Sequence, residues 1–468
     1  MDNLRWRLYP LLSVIASVFI FYIRTSSKPA NTECSLLPYE SYWITSNRIV
    51  TPKGVISGAV EVKGGNIASV VEGENWPKQG QAHVIDYGEA VVMPGLIDVH
   101  AHLDEPGRTE WEGFSSGTEA AAAGGITTLI DMPLNSFPST VSEETLRLKV
   151  EAARNKIYVD VGFWGGLVPE NAFNTSILEA LLRAGALGLK VTELGLLLLL
   201  YFLNIINLVI WFSDCFLSSI FLSIREEAAI RELLTVTNDT RSGGRAEGAH
   251  LHIVHLSDAT ASLDLIKGAK SSGDSITVET CPHYLAFSAE EIQDGDTRFK
   301  CAPPIRDATN REKLWASIME GHIDLLSSDH SPTVPDLKLL HEGDFLKAWG
   351  GISSLQFVLP VTWSYGRKYG ITLSQLTSWW SERPAKLAGQ QLKGAIASGN
   401  HADIVVWEPD TEFELNENHA TYHKHPSISA YMGMKLSGKV LATFVRGNLV
   451  YTEGRHPPTA CGVTILAN

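Results

Sequence analysis

The stretch that decides the fold is MPGLIDVHAHLDEPGR, residues 93–108. An apolar run that ends in His100 and His102 is typical of a β-strand, and strand alternation places both imidazoles on one face. At the carboxyl end of a strand in a parallel barrel, that face points into the mouth, where active sites lie. Two neutral imidazoles that converge there suit a divalent metal ion. A polar strand end would show the same pair, so the motif alone leaves that alternative open.

Apolar strands alternate with helical stretches through the middle of the chain, a pattern typical of parallel βα units. Seven strands are predicted, within residues 93–103, 124–133, 158–168, 186–190, 249–257, 275–285 and 323–332. Seven is one fewer than a (β/α)8 barrel requires, and the gap falls between residues 190 and 225. We therefore predict an α/β fold with a barrel over residues 93–390 in which the region of strand 5 is replaced.

Both ends of the chain are rich in short β runs separated by Gly, Pro and Asn. Residues 39–92 form the first such region and residues 391–456 the second. We predict that the two pair into one small β-sandwich.

Two apolar runs stand apart from this pattern. Basic residues flank the run from Leu8 to Ile23, which predicts a signal anchor over residues 1–30 and a membrane-anchored protein of the endoplasmic reticulum. Residues 194–213 carry no charge and have the length of a membrane span. Their flanks are typical of a soluble α/β domain, which disfavours a protein with two membrane spans. We interpret residues 191–224 as an anomalous insert, either translated non-coding sequence or an error in gene prediction.

Composition excludes some classes of function. The chain has 468 residues and a net charge of −14, which argues against a nucleic-acid partner. Its cysteines are widely scattered without a CxxC pair, so neither a disulfide scaffold nor a zinc ribbon is supported. They are Cys34, Cys215, Cys281, Cys301 and Cys461.

Three further side chains end predicted strands. Lys190 closes the apolar ALGLK run, where a lysine either extends to solvent or reacts with carbon dioxide to form a bridging carbamate. His255 lies nearest the carboxyl end of its strand, and alternation places it opposite His252. Asp329 precedes a proline turn, where a carboxylate could bind a metal and act as a general base. His283 and His330 are interpreted as structural rather than catalytic.

Taken together, several segments resemble the cyclic amidohydrolases, most closely the plant-type allantoinases. They are MPGLIDVHAHLDEPGRTEWEGF, DMPLNSFPST, GFWGGLVPEN, ETCPHYLAF, CAPPIRD, SSDHSP and KAWGGISSLQF. The resemblance implies a (β/α)8 barrel with an appended β-sandwich. It also implies two divalent metal ions, with zinc favoured over manganese, cobalt or iron, and carbon dioxide for lysine carboxylation. The implied ligands are His100, His102, carboxylated Lys190, His255 and Asp329.

The resemblance further implies hydrolysis of the hydantoin ring of allantoin to allantoate, in purine (ureide) catabolism. In this mechanism Asp329 is the catalytic residue, which takes a proton from the attacking water and returns it to the leaving ring nitrogen. Arg108 and Asn135 occupy positions that contact the substrate in related enzymes. Relatives are commonly homo-oligomers, and the N-terminal segment matches the membrane anchor of the plant enzymes.

The chain departs from the family at strand 5. The family carries a histidine ligand there, whereas this chain has no histidine between His102 and His250. Two alternatives therefore stay open. One is a dihydropyrimidinase or hydantoinase that acts on another cyclic amide, and the other is a catalytically impaired isoform that serves as a subunit.

Overall fold

The computed structural model describes residues 33–77, 80, 82–191, 209–212, 222–244 and 247–467. The predicted anchor over residues 1–30 and most of the apolar insert lie outside the described residues. Within these ranges, none of the helices combines the length and apolarity that a membrane crossing needs.

The strands of the described residues fall into an N-terminal group, a central group and a C-terminal group. In chain order they are β1 (Ser41–Thr51), β2 (Gly54–Lys63), β3 (Asn66–Glu72), β4 (Val84–Asp86), β5 (Val91–Pro94), β6 (Leu96–Ala101), β7 (Ile126–Asp131), β8 (Asp160–Phe163), β9 (Gly165–Leu167), β10 (Leu189–Val191), β11 (Val209–Phe212), β12 (His250–Ile253), β13 (Ile276–Thr280), β14 (Leu325–Leu326), β15 (Ile404–Glu414), β16 (Lys435–Val445), β17 (Asn448–Thr452) and β18 (Thr464–Ile465).

The α-helices lie mostly between the central strands, as βα units require. They are α1 (Phe114–Ala123), α2 (Glu143–Ala153), α3 (Thr175–Arg183), α4 (Leu222–Thr237), α5 (Ala261–Ser271), α6 (Pro282–Ala286), α7 (Ala308–Met319), α8 (Pro335–Lys338), α9 (Val358–Gly366), α10 (Leu373–Thr377) and α11 (Arg383–Leu387). Side chains cap several of them, and Ser142 accepts a hydrogen bond from the backbone N–H of Thr145 at the start of α2.

Strands from both chain ends form one sheet in the order β17-β16-β15-β5-β1-β2-β3, with β4 beside β1. Antiparallel pairing of Ile404 with Pro94 joins the two ends. One face buries residues such as Ile44, Val92 and Val406 in a core of its own. The prediction of a β domain built from both ends is therefore confirmed, while its residue boundaries stay a prediction.

The opposite face of this sheet packs against the barrel. Met93, Val405 and Trp407 belong to the same buried cluster as the apolar side chains of the barrel. Because neighbouring strand residues point to opposite faces, the Val91–Pro94 strand can serve both cores at once. That strand leads directly into β6, which carries His100, so the sheet fixes the start of the barrel.

The central strands β6 to β14 occupy the eight strand positions of a parallel barrel. β6, β7 and β8 are paired in one sheet, and β9 to β14 are paired in sequence order in another. β8 and β9 are two segments of one strand that is interrupted at Trp164. The first and last positions meet through a bridge between Ala101 and His330 instead of a regular ladder. The predicted (β/α)8 architecture is confirmed.

The fifth position is filled by part of the apolar run. β11 pairs in parallel with β10 on one side, where Trp211 is opposite Lys190. It pairs in parallel with β12 on the other side, where Trp211 is opposite His252. Four residues of the replaced region thus supply the strand that the sequence pattern lacked. The non-coding origin of residues 191–224 stays a prediction.

A disulfide joins the two ends of the described chain. Cys34 and Cys461 are bonded, with their Cα atoms 5.4 Å apart and 427 positions apart in sequence. Cys281 and Cys301 are free and buried. Spacing patterns along the sequence did not indicate this pair, because its two cysteines are 427 positions apart and meet only in the folded chain.

A buried ion network connects the barrel to the sheet. Lys393 donates to Asp160 Oδ2 at 2.8 Å and to Asp403 Oδ2 at 2.6 Å. Asp160 begins β8, and Asp403 precedes β15. All three residues are buried. One lysine therefore compensates two carboxylates that belong to different parts of the fold.

We expect Lys393→Met to lower the free energy of unfolding by about 3–5 kcal/mol, since it leaves buried carboxylates without this cation. Urea unfolding measures the change. The matched control is Lys347→Met, which removes an exposed pair with Asp344 and should cost at most about 1 kcal/mol. Equal losses in the two variants would contradict a structural role for the network.

Candidate metal centre at the carboxyl ends of the barrel strands

The five predicted ligand residues come together at one end of the barrel. His100 lies in the first barrel strand, β6, and His102 directly follows it. Lys190 lies in the fourth, β10. His255 and Asp329 follow the sixth and eighth strands, β12 and β14. All five are buried. Parallel strands bring their carboxyl ends to one edge, which is where barrel enzymes place their active sites.

The distances among these residues are short. His100 Nε2 lies 3.2 Å and His102 Nε2 lies 3.7 Å from Asp329 Oδ1. Lys190 Nζ lies 3.3 Å from His100 Nε2. His100, His102 and Asp329 each offer one ligand atom within 4.8 Å of the other two. This set of imidazoles and a carboxylate matches what divalent zinc prefers.

His255 reaches the cluster through an unusual backbone conformation. Its φ is +38°, and its ring centroid lies 5.4 Å from that of His100. β12 ends at Ile253, so strand alternation no longer applies at residue 255. The backbone N–H of His255 donates to Glu279 Oε1 at 3.2 Å, whereas His252 contacts Glu279 Oε2 through its ring at 3.0 Å. That the two imidazoles lie on opposite faces stays a prediction.

Glu279 is a residue of the site that sequence reasoning missed. Its Oε1 lies 2.6 Å from His100 Nδ1, and its Oε2 lies 3.0 Å from His252 Nε2. Burial raises the pKa of Glu279, but His100 and His252 outweigh burial and hold that pKa well below the usual range. An ionised Glu279 accepts the proton of His100 Nδ1–H, which orients His100 Nε2 towards Asp329. The available signal was a carboxylate inside the buried strand ITVET.

Electrostatics sets the protonation of the cluster. Burial raises the pKa of Asp329, yet the neighbouring imidazoles of His100, His255 and His102 hold it well below the usual carboxylate range. Burial lowers the pKa of His255 to about 3. Burial, reinforced by the charge of Lys190, also lowers the pKa of His102. At neutral pH Asp329 is therefore ionised and His102 and His255 are neutral, the forms that bind metals. The pKa of His100 is instead raised, because the charges of Asp329 and Glu279 outweigh burial and the charge of Lys190.

Arg108 and Asn135 are neighbours beside this cluster. Arg108 Nη1 donates to the backbone oxygen of Asn135 at 3.0 Å, and its guanidinium lies 4.5 Å from the centre of the Trp111 ring. Asn135 Nδ2 donates to Ser331 Oγ at 3.4 Å. The preceding Leu134 places its carbonyl oxygen 3.4 Å from His102 Nδ1. The two predicted substrate contacts are therefore adjacent to the centre.

The remaining histidines of the barrel end differ in their contacts. His330 Nδ1 accepts a hydrogen bond from the backbone N–H of Ser354 at 2.9 Å, and its Nε2 lies 3.3 Å from Glu112 Oε2. His283 instead groups with Cys281 and Asp329, with ligand atoms within 4.8 Å of one another. Neither ring nitrogen of His283 has a hydrogen-bond partner among the described residues. The sequence favours a structural role for His283 over a catalytic one, with His283 or His252 as the replacement for the strand-5 imidazole if the chain is active.

Family comparisons agree with this architecture. The Amidohydrolase family matches residues 91–194 and 223–450, and the family described as Allantoinase, composite domain, matches residues 37–90. Residues 195–222 lie outside both matches. This unmatched segment contains the strand β11.

Known relatives cover almost the whole chain. The allantoinase of Arabidopsis thaliana is 62% identical over 499 residues, which cover 99% of each chain. The probable allantoinase of Oryza sativa subsp. japonica is 58% identical over 498 residues and 98% of each chain. Both alignments are longer than the 468 residues of this chain, so they include positions for which this chain has no residue.

A solved structure of L-hydantoinase (dihydropyrimidinase) from Arthrobacter aurescens shares the fold, with a TM-score of 0.80 and 25% identity. The match covers 92% of this chain and 100% of that one. A D-hydantoinase structure gives a TM-score of 0.75 at 26% identity, covering 91% of this chain and 98% of that chain. The metal-binding geometry, the family matches and the full-length identities lead to one conclusion: the chain belongs to the amidohydrolase family, and within it to the plant-type allantoinases.

Proposed function

We propose that this chain hydrolyses the hydantoin ring of allantoin to allantoate in purine (ureide) catabolism. The observation that carries the proposal is the buried cluster of His100, His102, Lys190, His255 and Asp329 in a chain that is 62% identical to an allantoinase. The cluster supplies ligands for divalent metals, and the identity extends over both domains. Hydrolysis of a cyclic amide is the reaction that this combination favours.

The residues present fit one metal ion well and a second one less well. His100, His102 and Asp329 offer three ligand atoms for one ion, and Lys190 lies beside them. Lys190 and His255 are the residues proposed for a second ion, without the imidazole that the family places on strand 5. We propose two divalent ions, with zinc favoured, and a carbamate formed when Lys190 Nζ attacks carbon dioxide and loses a proton.

When bound, such ions supply a nucleophilic hydroxide at neutral pH and polarise the carbonyl group of the scissile amide. Asp329 is ionised and accepts the proton of the attacking water. The new C–O bond forms, the ring C–N bond breaks, and Asp329 returns the proton to the leaving nitrogen. Arg108 and Asn135 orient the ring by hydrogen bonds to its polar groups.

A hydantoinase or dihydropyrimidinase activity is the second candidate. The observation in its favour is the TM-score of 0.80 to L-hydantoinase from Arthrobacter aurescens. Such an enzyme would use the same metal ligands. It would differ in the residues beside the metal centre that bind the substrate. The relatives at 58–62% identity favour the allantoinase. A catalytically impaired isoform is the outcome if the second metal position is not filled.

We also propose that the protein resides in the endoplasmic reticulum, anchored in the membrane by residues 1–30, and assembles as a homo-oligomer. The apolar run Leu8–Ile23 supports the anchor. The Cys34–Cys461 disulfide supports an oxidising compartment, because such bonds are rare in cytosolic proteins. The oligomer rests on the resemblance to the family.

We expect the purified full chain, supplied with zinc or manganese and bicarbonate, to open allantoin, and Asp329→Asn to lower kcat by about 10²–10⁴-fold through loss of proton transfer. Measurement of allantoate release tests both expectations. The control Asp410→Asn alters an exposed carboxylate and should retain full activity. Turnover of dihydrouracil with none of allantoin would favour the second candidate instead.

Glu279→Gln should weaken metal binding by about 10–100-fold, because the amide no longer accepts strongly from His100 Nδ1–H and the ligand loses its orientation. Titration against a chelator of known affinity gives the dissociation constants. Glu170→Gln, at an exposed site, is the control. Unchanged metal affinity in Glu279→Gln would show that His100 needs no such orientation.

In protein isolated from its native membranes without reductant, we expect one peptide pair to be linked through Cys34 and Cys461, since an oxidising compartment preserves the bond. Alkylation of free thiols followed by mass spectrometry detects the pair. The buried Cys301 should be alkylated only after unfolding, which provides the internal control. Recovery of Cys34 and Cys461 as free thiols would contradict the proposed compartment.

A further inference from the structure

A second group of potential ligands lies beside the first and shares Asp329 with it. Cys281 directly follows β13, and His283 lies in the first turn of the short helix α6. The Cys281 Sγ atom, a ring nitrogen of His283 and a carboxylate oxygen of Asp329 lie within 4.8 Å of one another. All three residues are buried. They come from the ends of the seventh and eighth barrel strands.

The imidazole of His283 is buried without hydrogen bonds, which is unusual for a polar side chain. Both ring nitrogens are buried and lack hydrogen-bond partners among the described residues. An unsatisfied buried polar group costs about 1–3 kcal/mol, and native proteins retain few of them. A neutral imidazole has a lone pair that a metal ion can take, which would satisfy one of these buried nitrogens.

Another nearby histidine is already engaged and so makes a weaker candidate. His252 Nδ1 lies 2.7 Å from Thr277 Oγ1, and its Nε2 lies 3.0 Å from Glu279 Oε2. Recruiting His252 to a metal would break one of these contacts. Recruiting His283 would satisfy a buried nitrogen instead.

The donor set has the chemistry of a zinc site. Thiolate, imidazole and carboxylate are all ligands of zinc, and three protein ligands leave a fourth position open for water. Bond lengths of about 2.0–2.3 Å place the ligand atoms of a tetrahedral ion roughly 3.3–3.8 Å apart. Atoms within 4.8 Å reach that geometry by shifts on the order of 1 Å, which side-chain rotation provides.

We propose that Cys281, His283 and Asp329 hold a divalent metal ion of the zinc class. This ion is the second of the two that the chain binds, and Lys190 and His255 do not hold it by themselves. Binding converts the Cys281 thiol to a thiolate and releases its proton to solvent. Asp329 then contacts both ions. The role of the site in catalysis rests on the proposed function, whereas the binding of the ion does not.

The test uses the metal-free full chain titrated with Co²⁺, which replaces zinc and reports its ligands by absorption. We expect two equivalents to bind and a thiolate-to-cobalt charge-transfer band to develop in the near ultraviolet. Cys281→Ser should abolish the band and retain one tightly bound equivalent. The matched control is Cys301→Ser, which changes the other buried free cysteine and should leave the band unaltered.

His283→Gln provides a second, independent variant. It should raise the dissociation constant of one of the two Co²⁺ equivalents by at least about 10-fold. That is the scale expected when a metal site loses an orienting or ligating group. The other equivalent, held by His100, His102 and Asp329, should bind as before. Circular dichroism and thermal unfolding of each variant confirm that the fold is retained.

Wild-type protein without the charge-transfer band, or a band that survives Cys281→Ser, would overturn the proposed site. Allantoin turnover, measured on the same samples, separates the two proposals. Turnover without the band would refute this site and leave the proposed function standing. A Cys281-dependent band without turnover would establish the site and refute the function.

Discussion

The parallel pairing of β11 between β10 and β12 is the constraint on which the rest of the structure depends. Trp211 is opposite Lys190 on one side and His252 on the other. Without this strand, two neighbouring edges inside the barrel would carry unpaired backbone groups, each of which is costly when buried. The strand also fixes the spacing between Lys190 and the turn at His255. Within the described part of the replaced region, the four residues Val209–Phe212 meet both requirements. Four are enough because backbone pairing does not depend on side-chain identity.

Much of the site could be predicted because its signals are local in sequence. His100 and His102 are two residues apart on a strand, and Lys190 and Asp329 end apolar runs, so the rules of parallel sheets place them together. Glu279 was missed because its role depends on contacts across three strands. The Cys34–Cys461 bond was missed because it spans the chain, and β11 because an apolar run shows no strand period.

Three residues at the proposed site have a left-handed backbone conformation. His255 and Asp329 have φ values of +38° and +43°, and Asn135 has +73°. Side chains other than glycine adopt this left-handed region at a cost of about 1–3 kcal/mol each. Each of the three residues lies just beyond a barrel strand, where an extended backbone would aim the side chain elsewhere. The surrounding barrel must therefore hold these conformations, which ties the geometry of the site to the stability of the fold.

The two ligand groups differ in the softness of their donors, and Asp329 connects them. His100 and His102 offer imidazoles, whereas Cys281 adds a sulfur atom that prefers zinc to magnesium or calcium. Three imidazoles around Asp329 hold its pKa well below the usual carboxylate range, so this carboxylate stays ionised even at mildly acidic pH. That fixed charge stabilises cations on either side of it. In the proposed site, Cys281 and His283, which follow β13, present donors to the same carboxylate, so a second ion needs no imidazole from strand 5.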